Sequence, residues 1–188
     1  MNRLSTLAPA LLTAGSLLLL SGDLVQVFRG GVLWTILLSL AFVCFAAGLL
    51  LLPFAFSLRR HPLVLTGIAS AFVGCFAGAG MQVLFRTWEV LTDANQASAA
   101  ELLRTDSALN FSTLVPGIFF PIGLLLLAAG LMHGRALPLK ITVPLALGAI
   151  LFPIGHAAGV VPAIVVGDLV LVVAFGSLFL ARKRMEAR

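Results

Sequence analysis

Charged residues are scarce in this chain: they make up 10% of its 188 residues, whereas 61% are hydrophobic. Soluble globular domains carry about 25% charged and about 45–50% apolar residues, so the composition excludes an ordinary soluble domain. The mean hydropathy of +1.14 indicates an integral membrane protein surrounded by lipid. The formal net charge of +5 does not indicate nucleic-acid binding, because the basic residues fall in short turns beside apolar segments.

Sequence signatures of chemistry are also missing. The two cysteines, Cys44 and Cys75, lie within apolar runs and form no CxxC pair, so we expect small buried side chains rather than redox or metal ligands. The chain has no HExxH, GxSxG or Walker loop, and no pair of histidines placed to hold a haem. We therefore expect no cofactor and no metal site, and a binding protein is favoured over an enzyme.

Six apolar segments are long enough to cross about 30 Å of hydrocarbon. They lie near residues 6–28, 31–56, 63–90, 113–132, 141–160 and 162–181. The predicted fold class is an all-α integral membrane protein, with one transmembrane domain over residues 1–188 and six helices in one bundle. The first segment has the basic start and apolar run of a signal peptide, but we interpret it as the first span.

The distribution of Lys and Arg predicts the orientation. With the N-terminus in the cytoplasm, nine of the twelve basic residues lie inside, and only Arg29, Arg86 and Arg104 lie outside. This asymmetry is typical of cytoplasmic N- and C-termini, so we expect a multi-pass protein of the cell (inner or plasma) membrane. Trp34 and Trp88 fall at the outer ends of the second and third spans, where tryptophan prefers the membrane interface.

One connection is long, residues 92–112, and it lies outside in this topology. Within it, Ser98 and Glu101 match a capping box, which predicts a short helix near 99–105. Two interpretations stay open for this helix: an ordinary solvated linker, or a lid over a site.

The third span is rich in small residues. Ser70, Gly74 and Gly78 recur at every fourth position, a spacing that lets helix backbones approach closely. We expect this span at the centre of the bundle, contacted on two sides. The alternative is that small residues are simply frequent in membrane helices.

Polar and ionisable residues are concentrated in the outer half of the predicted bundle. Charged groups are costly inside a membrane, so such residues are functional candidates and usually face the protein interior. On the third span the polar residues share one helical face, and so do those on the first span. The candidate set for ligand binding is Asp23, Gln26, Gln82, Arg86, Glu89, His156 and Asp168.

Two explanations compete for this set. One is a structural network of ion pairs and hydrogen bonds, for example Asp23 with Arg86, that holds the helix ends together. The other is a cavity open to the outside and covered by the 92–112 loop. Arg29 and Glu89 could also reach the interface by snorkelling. For His156, a structural hydrogen bond and a proton-linked or ligand-contacting role both remain open.

The tetrapeptide Phe-Pro-Ile-Gly occurs twice, at residues 120–123 and 152–155. Pro121 and Pro153 each remove an N–H and free a carbonyl one turn earlier, which predicts kinks in the fourth and fifth helices. Two kinks at the depth of the polar set would splay the outer helix ends and open a cavity. Kinks that merely fit the packing are the alternative, and we do not interpret the match as a solenoid repeat.

The favoured function is binding of a small amphiphile or polar solute in an outer-facing cavity, as a transporter, lipid-handling protein or sensor. Arg86, Asp23 and His156 would contact the ligand, and Asp168 would be a protonatable group. One alternative is a structural or accessory subunit whose small-residue face docks a partner membrane protein or a second copy. Another is a membrane enzyme acting on a lipid or isoprenoid. The expected partners are membrane lipids and the ligand, and no nucleic acid.

Overall fold

The structure, a computed structural model, describes residues 4–28, 32–56, 61–90, 101, 107–134 and 137–186, some of them, including Arg86 and Glu89, by backbone alone. These residues form six helices and no strand, which confirms the predicted all-α fold. The helices are α1 (Leu4–Phe28), α2 (Val32–Phe56), α3 (Pro62–Val90), α4 (Ser107–His133), α5 (Leu139–Ala158) and α6 (Val161–Glu186).

The helices have the length and surface of membrane spans. Five of them are long and apolar enough to cross a membrane by length and composition, and a shorter apolar helix covers Gly117–His133 in α4. Large apolar side chains such as Leu40, Val43 and Leu50 are exposed on the outside of α2. Exposure of such side chains is unfavourable in water but not in hydrocarbon, so these faces are built for contact with lipid. The chain is a multi-pass helical membrane protein.

Two helices extend further than the sequence predicted. Helix α4 begins at Ser107 instead of near residue 113, and α6 runs on to Glu186 instead of ending near residue 181. The predictions followed hydropathy, whereas a helix continues for as long as its backbone hydrogen bonds and residue propensities allow. In α6 the added turn carries cations, which stabilise a helix C-terminus, and the Lys183 ammonium lies 4.9 Å from the ring centre of Phe179.

The long connection is therefore shorter than the predicted 92–112, because residues 107–112 belong to α4. Of the short helix predicted near 99–105, only Glu101 falls among the described residues, and it is helical. The lid formed by this segment stays a prediction.

The six helices form a closed ring. Their main contacts join each helix to the next one along the chain and also join α6 to α1. Neighbouring helices are antiparallel: along α3, Gly67 and then Gly74 come close to α4 residues of decreasing number, and along α1, Gly15 and then Gly22 come close to α2 residues of decreasing number. One end of the ring is therefore the place where α1, α3 and α5 end and where α2, α4 and α6 begin. We call it the predicted outer end.

At the predicted outer end, α5 and α6 are joined by a very tight turn. Gly159 closes α5 in a left-handed conformation with φ of 64°, which suits a residue without a Cβ. The Val160 N–H donates to the Gly155 carbonyl at 3.1 Å, which satisfies one of the carbonyls left open at the helix end. The two helices can therefore begin to pack immediately beyond the turn.

Helix α3 approaches its neighbours closely through its small residues. A Cβ at Gly74 would collide with the backbone nitrogen of Phe120 on α4, and one at Gly78 would collide with a phenylalanine ring on α2. The Ser70 hydroxyl donates to the Phe119 carbonyl of α4 at 2.9 Å. The predicted close packing on two sides is confirmed, but the predicted central position is wrong, because every helix of the ring has two main neighbours.

Replacement of Gly74 by Ala tests this close approach. The added methyl group would force α3 away from α4, and we expect Gly74→Ala to lower the free energy of unfolding by about 1–3 kcal/mol. The matched control is Gly80→Ala on the same helix, where a Cβ meets no atom within 4 Å. Thermal unfolding in detergent micelles measures both variants, and equal melting temperatures for the two would contradict the packing described here.

Candidate functional site

A cavity of about 970 Å³ lies in the half of the bundle toward the predicted outer end, and all six helices contribute to its lining. Most of the lining is apolar. The polar side chains among the lining residues are Asp23, Gln26, Trp34, Gln82 and His156. The interior of the other half is closely packed around a void of about 10 Å³ that is lined by aliphatic residues and Phe175. An open groove of about 660 Å³ lies outside this interior on α4 and α5, and Leu126, Met132 and His133 are among its lining residues.

An aromatic layer separates the two halves. We call Phe42, Phe120 and Phe152 the aromatic floor, since all three line the cavity. The ring centroids of Phe42 and Phe120 are 5.7 Å apart and those of Phe120 and Phe152 are 5.3 Å apart, both edge-to-face. Below the floor, the ring centroid of Phe45 lies 5.3 Å from that of Phe120 and 5.7 Å from that of Phe175. The aromatic layer therefore continues into the packed half.

The two Phe-Pro-Ile-Gly copies form the wall of the cavity on α4 and α5. Four pairs of equivalent residues line it: Ile118 and Ile150, Phe120 and Phe152, Pro121 and Pro153, and Ile122 and Ile154. Because α4 and α5 are antiparallel neighbours, the copies face each other across a local two-fold relation. The match between them therefore reflects one shared wall instead of a chain-long repeat.

The prolines leave backbone acceptors in this wall. Proline has no N–H, so Pro121 and Pro153 cannot donate to the carbonyls of Gly117 and Ala149, one turn earlier. Both of these residues line the cavity. Each helix continues through its proline, and the predicted kinks at Pro121 and Pro153 remain a prediction.

The cavity reaches the surface of the bundle between α4 and α5 and also at the predicted outer end, where the lining residues Val27 and Val161 are 40% and 39% exposed. Four isoleucines line it and are also largely exposed: Ile118 by 56%, Ile122 by 42%, Ile150 by 45% and Ile154 by 53%. Side chains that border a cavity and an outer surface together mark a gap in the wall. In a membrane this gap faces the hydrocarbon of the lipid.

Two carboxyl groups meet where α1 and α6 pack against each other beside the cavity. Asp23 on α1 lines the cavity and is 3% exposed, and Asp168 on α6 is fully buried behind it. The two side chains interact directly. No donor among the described residues forms a hydrogen bond to either Asp168 oxygen or to Asp23 Oδ2. Since carboxylates only accept, a hydrogen bond between the two groups requires a proton on one of them.

His156 on α5 completes this cluster. Its Nδ1 lies 2.9 Å from the Phe152 carbonyl, which only accepts, so Nδ1 carries a proton and donates. Its Nε2 lies 3.4 Å from Asp23 Oδ2, within ion-pair range although the geometry is not that of a hydrogen bond. Its ring stacks on Phe152 with centroids 4.3 Å apart. The aromatic floor and the carboxyl pair are thus connected through one imidazole.

Gln82 adds a further acceptor from α3. It lines the cavity and is buried, and its Oε1 has no hydrogen-bond partner among the described residues. Gln26, one helical turn after Asp23, also lines the cavity but is exposed. The amide of Gln82 and the carboxyl of Asp23 therefore present unsatisfied oxygen atoms to the same space.

The structure assigns different positions to the predicted site residues. Asp23, His156 and Asp168 form one cluster, and Gln26 and Gln82 line the cavity beside it. The backbones of Arg86 and Glu89 lie in α3, but their side chains are outside the described part of the chain. The expected ion pair of Asp23 with Arg86 therefore stays a prediction, and the contacts described for Asp23 are with the other two members of the cluster.

Sequence reasoning missed the aromatic floor and the role of one tryptophan. Trp34 was predicted to anchor the membrane interface, but it is 3% exposed and lines the cavity. Hydropathy gives the depth of a residue and not the direction in which it points, so this prediction was wrong about orientation. The phenylalanine in each Phe-Pro-Ile-Gly copy was the available signal for the floor.

The remaining histidines lie at the opposite end of the bundle. His61 and His133 approach each other with ring centroids 5.6 Å apart. Among the described residues, no three His, Cys, Asp or Glu side chains are grouped so as to hold a metal ion.

Comparisons with protein-family models, with curated proteins and with solved structures find no match for this chain. Its function is therefore inferred from the geometry of the cavity.

The aromatic floor provides a stability test. Phe120 is almost fully buried and contacts three other phenylalanine rings, so Phe120→Ala should lower the free energy of unfolding by about 3–5 kcal/mol. The adjacent Phe119 is 41% exposed, and Phe119→Ala should change stability by less than about 0.5 kcal/mol. Unfolding by dodecyl sulfate in mixed micelles measures both, and similar losses for the two variants would rule out the floor as a packing centre.

Proposed function

We propose that this chain is a protein of the cell membrane that binds a small amphiphile in a cavity facing outward. The observation that carries the proposal is the cavity of about 970 Å³ in a bundle whose other half is closely packed. Ligand sites for small molecules measure about 300–1,000 Å³ and are mostly apolar with a few polar groups. An internal space of this size is difficult to explain by packing, because protein interiors are otherwise filled.

The distribution of polarity supports an amphiphile in preference to a uniformly polar solute. One wall consists of the α4 and α5 isoleucines, prolines and floor phenylalanines, which suit an alkyl or ring system. Nearer the predicted outer end the lining presents Asp23, His156 and Gln82 from three different helices, which suit a polar head group. A ligand with one apolar and one polar end would satisfy both sides at once.

The gap between α4 and α5 supports access from the bilayer. An amphiphile partitions into lipid and would meet exposed Ile118, Ile122, Ile150 and Ile154 there before it reaches the polar side. It would not need to cross water to enter the cavity. This route favours a lipid-handling protein or a transporter of lipid-soluble compounds over a receptor for solutes dissolved in water.

A purely structural role for the polar cluster is less consistent with its hydrogen bonding. Asp23 Oδ2 and Gln82 Oε1 lack a hydrogen bond among the described residues, and both residues line the cavity. A buried polar group without a partner costs about 1–3 kcal/mol. Groups that served stability alone would be expected to satisfy one another, whereas groups of a binding site are satisfied by the ligand.

Trp34 gives a direct optical test of binding, since it is buried and lines the cavity. The chain has two tryptophans, so Trp88→Phe leaves Trp34 as the single emitter. We expect ω-bromodecanol, added to this protein in lipid nanodiscs, to quench the fluorescence with a saturable dose dependence. Bromine quenches at contact distance, so saturable quenching requires a probe inside the cavity.

Matched variants separate the cavity from the lipid. Gly117 lines the cavity with open space around its Cα, so Gly117→Phe should fill the space and remove the saturable quenching. Gly80→Phe makes the same change at an exposed glycine outside the cavity, where a side chain meets open space. In this variant ω-bromodecanol should quench Trp34 with the same saturable dose dependence as in the parent protein. Identical quenching curves for the two variants, with both proteins folded, would refute the proposal.

Narrowing the gap tests the route of access. Ile122→Phe combined with Ile154→Phe should slow the association of ω-bromodecanol about tenfold or more in stopped-flow quenching, because both residues border the gap. Val43→Phe, at an exposed α2 position, is the control and should leave the rate unchanged. An unaltered rate in the double variant would place the entrance elsewhere.

A further inference from the structure

We infer that the amphiphile carries a positive charge on its head group and that it binds in exchange for a proton of the Asp23, His156 and Asp168 cluster. This inference rests on the proposed function and specifies the chemical class of the ligand.

Acceptors are in excess at the polar side of the cavity. Asp23 Oδ2 and Gln82 Oε1 belong to side chains that are more than nine-tenths buried, and neither atom receives a hydrogen bond among the described residues. A ligand that matches these two oxygen atoms must donate hydrogen bonds or bring positive charge, whereas an anionic head group at this place would lie beside the carboxyl group of Asp23.

The carboxyl pair gives this side of the cavity a place for a proton. Asp23 and Asp168 interact directly inside the bundle, and two adjacent carboxylates cannot both be ionised at low cost. One proton shared between them converts two acceptors into a donor and an acceptor. A cation that arrives beside Asp23 from the cavity would offset the second negative charge and allow this proton to leave.

His156 holds the competing positive charge. Because Nδ1 donates to the Phe152 carbonyl, Nε2 carries a proton only when the ring is an imidazolium. The imidazolium attracts Asp23 at 3.4 Å, whereas the neutral ring turns a lone pair toward the carboxylate. A cationic ligand therefore binds best beside Asp23 when His156 is neutral. Acid conditions protonate His156, and the imidazolium then disfavours binding of the cation.

The groups that face the cluster come from several helices. Among the described side chains the titratable ones are Asp23 from α1, His156 from α5 and Asp168 from α6, while α3 adds the neutral amide of Gln82. At this level α2 and α4 contribute aromatic and aliphatic side chains to the lining. On α3, the backbones of Arg86 and Glu89 lie one and two turns beyond Gln82, and their side chains are outside the described residues.

The exchange balances charge. One cation enters the cavity from the lipid side or the predicted outer end, and one proton leaves the cluster for water. The net charge in the bundle stays constant, so neither state contains an additional uncompensated charge in a low-dielectric environment. By linkage, a ligand that displaces a proton must itself bind less tightly when protons are abundant.

Three quenchers of equal chain length test the charge preference: ω-bromodecyltrimethylammonium, ω-bromodecanol and ω-bromodecyl sulfate. In the Trp88→Phe protein at about pH 8, we expect the ammonium to bind at least about tenfold more tightly than the alcohol, since a nearby carboxylate contributes attraction at short range. The sulfate should bind more weakly than the alcohol. The quenching measured in Gly117→Phe at the same lipid composition is subtracted from each curve. This subtraction removes the quenching by probe molecules that are dissolved in the bilayer.

Proton exchange has its own measurements. The affinity for the ammonium should fall by up to about tenfold per pH unit between about pH 8 and about pH 5, while the affinity for the alcohol stays nearly constant. In weakly buffered solution a pH dye should record about one proton released per ammonium bound. Asp23→Asn should reduce the preference for the ammonium over the alcohol to less than about twofold. If Asp23→Asn does not fold, the pH dependence of binding to the protein with its unmodified cluster still tests the exchange.

The outcomes distinguish the two claims. Tighter ammonium binding with proton release supports both the cavity and its charge class. Saturable binding of the alcohol without preference for the ammonium, or with preference for the sulfate, overturns the cation inference and leaves the proposed function standing. Tighter ammonium binding without pH dependence and without proton release also overturns the exchange. Loss of saturable quenching for all three probes overturns the proposed function and the inference together.

Discussion

Hydrocarbon offers no hydrogen-bond partner, and this constraint explains most features of the bundle. Backbone groups are satisfied within six helices, and the exposed faces carry side chains that need no partner at all. Polar side chains that remain must find partners inside the ring. The larger ones, Asp23, Gln82, His156 and Asp168, are collected at one level, where the cavity supplies the room for a further partner. The hydroxyls of Ser16 and Thr142 lie elsewhere and donate to carbonyls of their own helices. The same constraint makes the unsatisfied oxygens of Asp23, Asp168 and Gln82 informative.

The two halves of the bundle differ because of the aromatic floor. Below it, leucines and phenylalanines fill the ring almost completely, as in an ordinary core. Above it, Gly117 of α4 and the prolines of α4 and α5 supply little side-chain volume, so the space stays open. Phe120 lies at the junction, since its backbone is in contact with Gly74 and its ring is packed against Phe42 and Phe152. Close packing of α3 on α4 and the position of the floor therefore depend on the same residue.

The repeated Phe-Pro-Ile-Gly segment joins packing to the proposed binding. Its phenylalanines belong to the floor and its isoleucines border the gap to the lipid. Only the second copy is followed by a histidine, and that histidine reaches across to Asp23. The same local sequence thus builds two sides of one wall, and the one difference between the copies connects the wall to the carboxyl pair.

Sequence alone predicted the helices and the level of the polar set, because hydropathy and charge follow directly from residue type. It also predicted the close approach around Gly74, where small residues recur at helical spacing. It could not predict the order of helices in the ring, and so it placed α3 at the centre and turned Trp34 toward the interface. Nor did it identify Asp168 as the neighbour of Asp23, since that contact exists only because α6 closes the ring against α1. Which side chains meet between two helices depends on how each helix is rotated about its axis. The spacing of polar residues along a single helix does not specify that rotation.

The central claim, that the open half of the bundle holds a small cationic amphiphile, is tested most directly by native mass spectrometry of the protein released from lipid nanodiscs that contain decyltrimethylammonium. We expect one bound decyltrimethylammonium per chain, retained at neutral pH, lost on acidification and absent from Gly117→Phe. An adduct of equal abundance in Gly117→Phe, or no adduct in the unmodified protein, would contradict it.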